Sequence, residues 1–136
     1  MRPVVADASA LAEYLLRTDR ARRVQAVIEA PDVDLHAPAL CDVEVASVFR
    51  RALRTGRMDE ARAGLALEAY LDLPLSRHGH AGLLSRVLAL RENFTVYDAV
   101  YVALAERLGA EFLSADAGLV RAARRHTDLL VVSAAV

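Results

Sequence analysis

Short apolar segments alternate with longer helical segments along this chain, and the alternation limits the fold more than any other feature. The predicted strands carry apolar residues at consecutive positions, which is typical of a parallel sheet covered by helices on both faces. These strands span residues 3–6, 33–36, 73–76, 111–114 and 129–132. The sequence therefore predicts an α/β fold of three layers, with a central, mostly parallel sheet of four or five short strands flanked by about seven helices.

Helices are predicted between these strands, over residues 10–17, 19–30, 39–55, 58–71, 79 or 80 to 91, 95–108 and 117–125. Gly109 follows one of them in the left-handed position that glycine favours. Pro74 assigns the strand 73–76 to an edge of the sheet, because proline cannot donate to a ladder. A chain of 136 residues with 55% hydrophobic residues is globular and long enough to bury one core, so we expect a single domain over residues 1–136.

The helix that begins at Thr95 is apolar around nearly its whole circumference, so it should be buried on most sides. Asp98 shares a face with Tyr101, Val102 and Ala105, none of which can neutralise a carboxylate. A charge at this position needs a basic side chain, backbone N–H groups or a metal ion as its partner. The alternative is a helix cap, because Thr95 and Asp98 also fit the Ser/Thr-x-x-Asp/Glu capping pattern.

Three further acids lack an obvious local partner. Asp7 ends the first predicted strand and Asp116 follows the fourth, so both lie at the carboxyl ends of strands, where α/β folds bind ligands. Glu44 lies at the boundary of the apolar face of its helix, with no basic residue three or four positions later. Each acid has an ordinary alternative. Asp7 and Asp116 can be helix caps, although Ser9 could cap the first helix instead, and Glu44 can be solvated.

Of these four acids, we expect two or more at one sheet edge. Carboxylates crowded together in this way repel one another, and some would take up protons unless a cation were present. Magnesium or manganese resolves this conflict with oxygen ligands and keeps positions for water and a phosphate oxygen. The single cysteine, Cys41, excludes a cysteine-based zinc cage and an internal disulfide, and we expect it to be a small buried residue.

The remaining polar residues give weaker signals. His78 and His80 are interpreted as loop or cap residues, and His36 and His126 are isolated in the sequence. Asp42 lies in the first turn of its helix, where complementation of the helix dipole is the simplest explanation.

The basic residues are unusual because all 17 are arginines, while the net charge is only −1. A planar guanidinium suits phosphate, although a solvated helix surface is the ordinary alternative. Arg51 lies about two turns after Glu44 on nearly the same helix face. It is therefore the first candidate for a contact with a phosphate group, followed by Arg54, unless Arg51 pairs with Glu60 or Glu68. The three clusters are Arg20, Arg22 and Arg23; Arg50, Arg51, Arg54 and Arg57; and Arg121, Arg124 and Arg125.

Several classes of protein are excluded by missing motifs. The chain has no G-x-S-x-G nucleophile elbow and no Gly-Lys phosphate-binding loop. No apolar run reaches the roughly 18 residues that a membrane helix needs, and Asp7 comes too early for a signal peptide. We therefore expect a cytoplasmic protein with no membrane association.

Four segments occur in the order seen in PIN-domain ribonucleases. Over residues 2–134 the chain resembles the toxin component of VapBC toxin–antitoxin modules. The segment 97–105 is the most specific of the four. The segments are Asp7-Ala8-Ser9-Ala10-Leu11, the helix from Pro38 to Glu44-Val45, Tyr97-Asp98-Ala99-Val100-Tyr101-Val102-Ala103-Leu104-Ala105, and Ser114-Ala115-Asp116.

The resemblance implies a PIN-like fold and metal-dependent hydrolysis of RNA phosphodiester bonds. It further implies a cognate VapB-type antitoxin that covers the acidic pocket, and a homodimer. Its implied metal ligands and catalytic residues, which would hold Mg²⁺ or Mn²⁺, are Asp7, Glu44, Asp98 and Asp116. The implied auxiliary residues, which would position carboxylates or water, are Ser9 and Ser114.

Two other functions remain open from the residues alone. The chain could be a catalytically silent binding module that uses the fold as a partner surface, or a metal-dependent phosphatase that acts on small phosphate esters. The apolar faces formed by Leu11, Tyr14 and Leu15 and by Val24, Val27 and Ile28 could serve partner contacts, but core packing explains them equally well.

Overall fold

The computed structural model describes residues 1–135, which form one five-stranded sheet and the helices around it. All neighbouring strands are parallel, and the strand order is β3-β2-β1-β4-β5. The predicted α/β class and parallel sheet are therefore confirmed. The strands are β1 Arg2–Ala6, β2 Val33–Pro38, β3 Leu75–His78, β4 Glu111–Ser114 and β5 Val131–Ser133.

Within residues 1–135, seven α-helices connect the strands, as expected. Helix α1 packs against α2, α3 and α4, whereas α6 packs against α5 and against strands β1, β2 and β4. Right-handed crossovers place these two groups of helices on opposite faces of the sheet, which gives the three predicted layers. The helices are α1 Ala8–Leu16, α2 Ala21–Ile28, α3 Leu40–Arg54, α4 Glu60–Asp72, α5 Leu84–Ala89, α6 Val96–Leu108 and α7 Ala117–His126.

The strand order reverses at β1, which is central in the sheet. The chain moves outward from β1 to β2 and β3 on one side, then crosses back to β4 and β5 on the other. In open parallel sheets a crevice forms at such a reversal, outside the carboxyl ends of the two strands that flank it. Asp7 directly follows β1 and Asp116 lies two residues after β4, so both acids lie at this reversal.

Helix α6 forms the centre of the core, as its apolar circumference predicted. Seven consecutive residues, Ala99 to Ala105, are buried, and the helix ends at Gly109 in the left-handed conformation with φ of 60°. Leu11, Leu15 and Val24 are also buried in the core. Tyr14, Val27 and Ile28 are only partly buried against it, so core packing accounts for part of the two apolar faces, and their role in partner contacts stays a prediction. No helix in residues 1–135 has the length and apolar character to span a membrane.

Several predicted elements differ from the structure by two residues at a boundary, at the start of α1, both ends of α2, the end of β2 and the start of α4. Three others differ for a physical reason. The helix expected from residue 79 or 80 to 91 is a 3₁₀ turn, Ala81–Leu83, followed by the short α5, because Gly82 lowers the helix propensity of its first turn. Strand β3 begins two residues late because Leu73 ends α4 and Pro74 has no N–H. It is an edge strand, as predicted. Strand β5 also begins two residues late, since residues 127–130 connect α7 to the sheet.

Candidate active site

A cavity of about 300 Å³ opens at the strand reversal, and all four predicted acids line it. The structure thus brings together side chains that lie up to 109 residues apart in the sequence, on the ends of two strands and on two helices. The lining residues are Asp7, Ala8, Ser9, Glu44, Ser47, Val48, Asp98, Tyr101, Asp116 and Leu119.

Asp7 is the most buried of the acids, with 4% of its surface exposed. Its Oδ1 accepts hydrogen bonds from the Ser9 hydroxyl at 2.6 Å and the Ala10 N–H at 2.9 Å, and its Oδ2 accepts one from the Ser114 hydroxyl at 2.5 Å. Burial raises the pKa of Asp7 to about 6, although these hydrogen bonds oppose the shift, and the nearby charge of Asp116 adds to it. The hydrogen bonds thus hold the carboxylate in place, but they compensate only part of the cost of burying its negative charge.

Asp7, and not Ser9, is the N-cap of α1, so the expectation that Ser9 could take this role was wrong. The helix begins earlier than predicted, and Ser9 lies within its first turn. There the Ser9 hydroxyl accepts a hydrogen bond from the Ala115 N–H at 3.0 Å while it donates to Asp7. Ser9 therefore links the end of β1 to the segment that follows β4.

Ser114 makes the same link from the other strand. Its hydroxyl is fully buried, donates to Asp7 and accepts from the Asp116 N–H at 3.0 Å. Asp116 in turn caps α7, because its Oδ1 accepts from the Leu119 N–H at 3.1 Å. The capping alternative for Asp116 is therefore correct, but the same side chain also lines the cavity.

Asp98 lies in the first turn of α6, partly buried, while Thr95 is the N-cap. The Thr95 hydroxyl accepts from the Asp98 N–H at 3.2 Å, but within residues 1–135 the Asp98 carboxylate does not return a bond to the Thr95 N–H. A reciprocal capping box therefore does not explain the acid. Burial raises the pKa of Asp98, and the charge of Asp116 raises it further. The hydrogen bond with the Thr95 side chain lowers it, and the charge of Glu44 adds the smallest rise.

Glu44 has a partner that the sequence did not identify. The Tyr101 hydroxyl donates to Glu44 Oε1 at 2.6 Å across 57 positions of sequence. Tyr101 also lines the cavity. In the sequence, Tyr101 follows Asp98 by three positions and so shares its helix face. This spacing was the only sequence feature that could have indicated a role for Tyr101 at the site.

The donor set suits a hard divalent cation. The four acids present only carboxylate oxygens, which magnesium and manganese prefer, and two of them carry raised pKa values that a nearby cation would lower. No group of three or more histidine, cysteine, aspartate or glutamate side chains within residues 1–135 already converges on a metal position. The cavity therefore offers the right ligands without a closed cage.

Arg51 and Arg54 lie beside the acidic cavity. They line a second depression of about 540 Å³ together with Ser47 and Val48, two residues that line the acidic cavity as well. Arg51 is exposed and forms no ion pair within 4.0 Å in the described part of the chain, so the expected alternative of a pair with Glu60 or Glu68 was wrong.

Two interpretations of histidines need correction. His36 is not isolated in space, because its Nδ1 lies 2.9 Å from Nε2 of His78 and its Nε2 lies 2.8 Å from Oδ2 of Asp34. His78 lies in β3 and not in a loop. His80 does act as a cap, since its Nε2 accepts from the Leu40 N–H at 2.9 Å at the start of α3.

Asp42 has specific partners in addition to the helix dipole. Its Oδ1 accepts from the Tyr70 hydroxyl at 2.6 Å and from Arg77 Nε at 2.8 Å. These two hydrogen bonds lower the pKa of Asp42, against an opposing effect of burial. The dipole explanation was therefore incomplete.

Comparison with known proteins assigns the family. Residues 4–125 match the family model described as PIN domain. Ribonuclease VapC3 of Mycobacterium tuberculosis is 40% identical over 120 residues, which cover 88% of this chain and 86% of that protein.

Solved structures agree on the fold. PAE2754 from Pyrobaculum aerophilum has a TM-score of 0.70 at 23% identity and covers 98% of this chain and 85% of its own. VapBC2 from Rickettsia felis, solved with a DNA fragment from its promoter, has a TM-score of 0.66 at 11% identity and covers 96% of this chain and 98% of its own. The chain therefore belongs to the PIN-domain family and, within it, to the VapC group.

Proposed function

We propose that this chain is a metal-dependent endoribonuclease and the toxin component of a toxin–antitoxin pair. The observation that carries the proposal is the cavity at the strand reversal, in which four acids meet without a basic side chain among the lining residues. The relatives named ribonucleases support RNA as the substrate class.

Asp7, Glu44, Asp98 and Asp116 would hold Mg²⁺ or Mn²⁺. When bound, such an ion stabilises the charge that develops on a phosphoryl oxygen and makes water a better nucleophile at neutral pH. The chain itself supplies orientation. Ser9 and Ser114 fix both oxygens of Asp7, and the Leu119 N–H fixes Oδ1 of Asp116, so two ligands are held before the ion arrives.

The proposal is tested with a short labelled RNA and a chromogenic phosphate ester, assayed side by side with Mg²⁺ and with a chelator. We expect internal cleavage of the RNA with Mg²⁺, no cleavage with the chelator, and no turnover of the ester. Turnover of the ester alone would identify a phosphatase of small esters. No turnover of either substrate by a protein that binds no metal would identify a binding module.

The arginines beside the cavity are proposed to hold the RNA backbone. Each phosphate that an arginine neutralises releases counterions, so binding weakens as salt rises. Arg51→Ala should weaken binding of an RNA oligonucleotide and reduce the slope of log affinity against log salt by about one unit. Fluorescence anisotropy at several salt concentrations measures both quantities, and Arg54→Ala should give the same change.

Arg23→Ala is the matched control for this experiment, because Arg23 is also an exposed helical arginine but lines neither depression. It should leave the salt slope unchanged. Equal slopes for Arg51→Ala and the wild type would place the RNA elsewhere, with the Arg121, Arg124 and Arg125 cluster as the next candidate.

The proposed protein partner is a VapB-type antitoxin that presents a basic side chain to the acidic cavity in place of the cation. Support comes from the negative lining of the cavity and from membership of the VapC group. Such an antitoxin should compete with Mn²⁺ for the site. The homodimer and the cytoplasmic location implied at the outset stay predictions, and light scattering of the purified chain measures the first.

A further inference from the structure

A hydrogen bond between helices α3 and α6 ends on a proposed metal ligand. Tyr101 is 2% exposed, and its hydroxyl donates to Glu44 Oε1 at 2.6 Å. A separation of this size lies in the range of hydrogen bonds from a hydroxyl to an ionised oxygen. The bond therefore holds one oxygen of Glu44 against α6.

Tyr101 follows Asp98 by three residues on α6, so both side chains lie on one face of the same helix. The surrounding residues of this helix are buried on all sides, which fixes the position of the tyrosine ring. Glu44 belongs to α3 and is only partly buried, with several rotatable bonds of its own. Tyr101 thus connects the least constrained acid to the helix that carries Asp98.

Such a connection is needed because the acids repel one another. Glu44 and Asp98 line the same cavity, so their negative charges oppose each other when no cation lies between them. A free glutamate would rotate toward solvent and away from Asp98, and a cation would then have to offset the cost of ordering it. The bond to Oε1 prevents this rotation, and no donor within residues 1–135 contacts Oε2.

We infer that Tyr101 is a positioning residue for metal binding, which holds Glu44 in the cavity with Oε2 free for the cation. The inference rests on the proposed function and adds a residue to it. Tyr101 acts through Glu44 and does not itself bind the ion.

A second tyrosine provides a matched control. The Tyr70 hydroxyl donates to Asp42 Oδ1, also at 2.6 Å, and Tyr70 is 1% exposed. Burial raises the pKa of the Cys41 thiol, and hydrogen bonds with the two tyrosine hydroxyls oppose this rise. Both tyrosines therefore contact the same cysteine. Asp42 does not line the acidic cavity. Tyr70→Phe therefore removes an equivalent buried hydroxyl from the same part of the core without touching the proposed ligands.

The experiment compares Tyr101→Phe and Tyr70→Phe by calorimetric titration of the metal-free protein with Mn²⁺, with thermal unfolding of each variant as a check on the fold. Loss of a group that orients a metal ligand typically costs ten- to a hundredfold in affinity. We expect Tyr101→Phe to weaken Mn²⁺ binding about tenfold, and Tyr70→Phe to bind as the wild type does. RNA cleavage by Tyr101→Phe should recover at saturating Mn²⁺, which a general defect of the fold would not allow.

The variant Glu44→Gln distinguishes an effect of Tyr101 that passes through Glu44 from a direct effect of Tyr101 on metal binding. If Tyr101 acts through Glu44, the double variant should bind Mn²⁺ as weakly as Glu44→Gln alone, because non-additivity marks residues that work as a unit. Equal affinities of Tyr101→Phe and the wild type, or equal losses in both tyrosine variants, would overturn the inference while the proposed function stands. A wild-type protein that binds no Mn²⁺ would overturn both.

Discussion

Asp98→Asn is expected to abolish RNA cleavage while leaving the metal-free protein at least as stable as the wild type. The side chain keeps its shape but loses the negative charge that would hold the cation. A metal ion supplies several kcal/mol of transition-state stabilisation, so a loss of about 4 kcal/mol corresponds to roughly a thousandfold in rate. In the metal-free state the same change removes the repulsion from Asp116 and Glu44 that raises the pKa of Asp98.

Glu60→Gln is the matched control, because Glu60 is also an acid in the first turn of a helix but lies outside the cavity. If Asp98 served only the helix dipole, both changes would cost about 0.3–1 kcal/mol of stability and neither would affect cleavage. Chemical unfolding in chelator and single-turnover cleavage with Mg²⁺ distinguish the two roles. A variant Asp98→Asn that cleaves RNA normally would contradict the proposed role.

The positions of the acids were predictable because they depend on local rules. Parallel strands place their carboxyl ends at one edge of the sheet, so Asp7 and Asp116 were expected at the same edge once the strands were identified. The pairing of β1 with β4, which the sequence did not reveal, makes them neighbours. Asp98 was identified because a charge in the first turn of an otherwise buried helix needs a partner. These arguments use only the strand ends, the helix period and the cost of burying a charge.

The partners of those acids were not predictable, because they depend on how distant helices pack. The bond from Tyr101 to Glu44 joins residues 57 positions apart, and the contact of His36 with His78 joins residues 42 apart on neighbouring strands. Neither separation leaves a trace in helical or strand periodicity. The register of β2 against β3 had to be known before His36 and His78 could be placed together.

The cap of α1 stayed open between two residues for a different reason. Both Asp7 and Ser9 have side chains that can cap a helix, and sequence alone does not say at which residue the helix begins. The structure begins the helix at Ala8, so Asp7 is the cap and Ser9 becomes available to bind Ala115. Because the helix begins two residues earlier than predicted, the Ser9 side chain is free to link the end of β1 to the segment after β4.

Asp7→Asn is expected to stabilise the metal-free protein above pH 6, by an amount that depends on pH. The pKa of Asp7 is about 6 in the folded protein, whereas an aspartate in the unfolded chain has its ordinary pKa of 3.8. Between these values the folded state binds more protons than the unfolded state, so the stability contributed by Asp7 falls as pH rises and is lowest above pH 6. A difference of about two pKa units corresponds to roughly 3 kcal/mol, from which lost hydrogen bonds subtract about 1 kcal/mol.

The quantity to measure is the difference in unfolding free energy between Asp7→Asn and the wild type, because other groups titrate in the same range. The lowered pKa of His78, for example, makes stability rise with pH, but it contributes equally to both proteins. The difference should increase from pH 4 to pH 6 in favour of Asp7→Asn and then stay constant. Mn²⁺ should raise the stability of the wild type alone, since a ligand stabilises the state that binds it and the variant lacks a ligand. Parallel pH profiles with equal responses to Mn²⁺ would show that the Asp7 carboxylate is neither strained by burial nor part of a metal site.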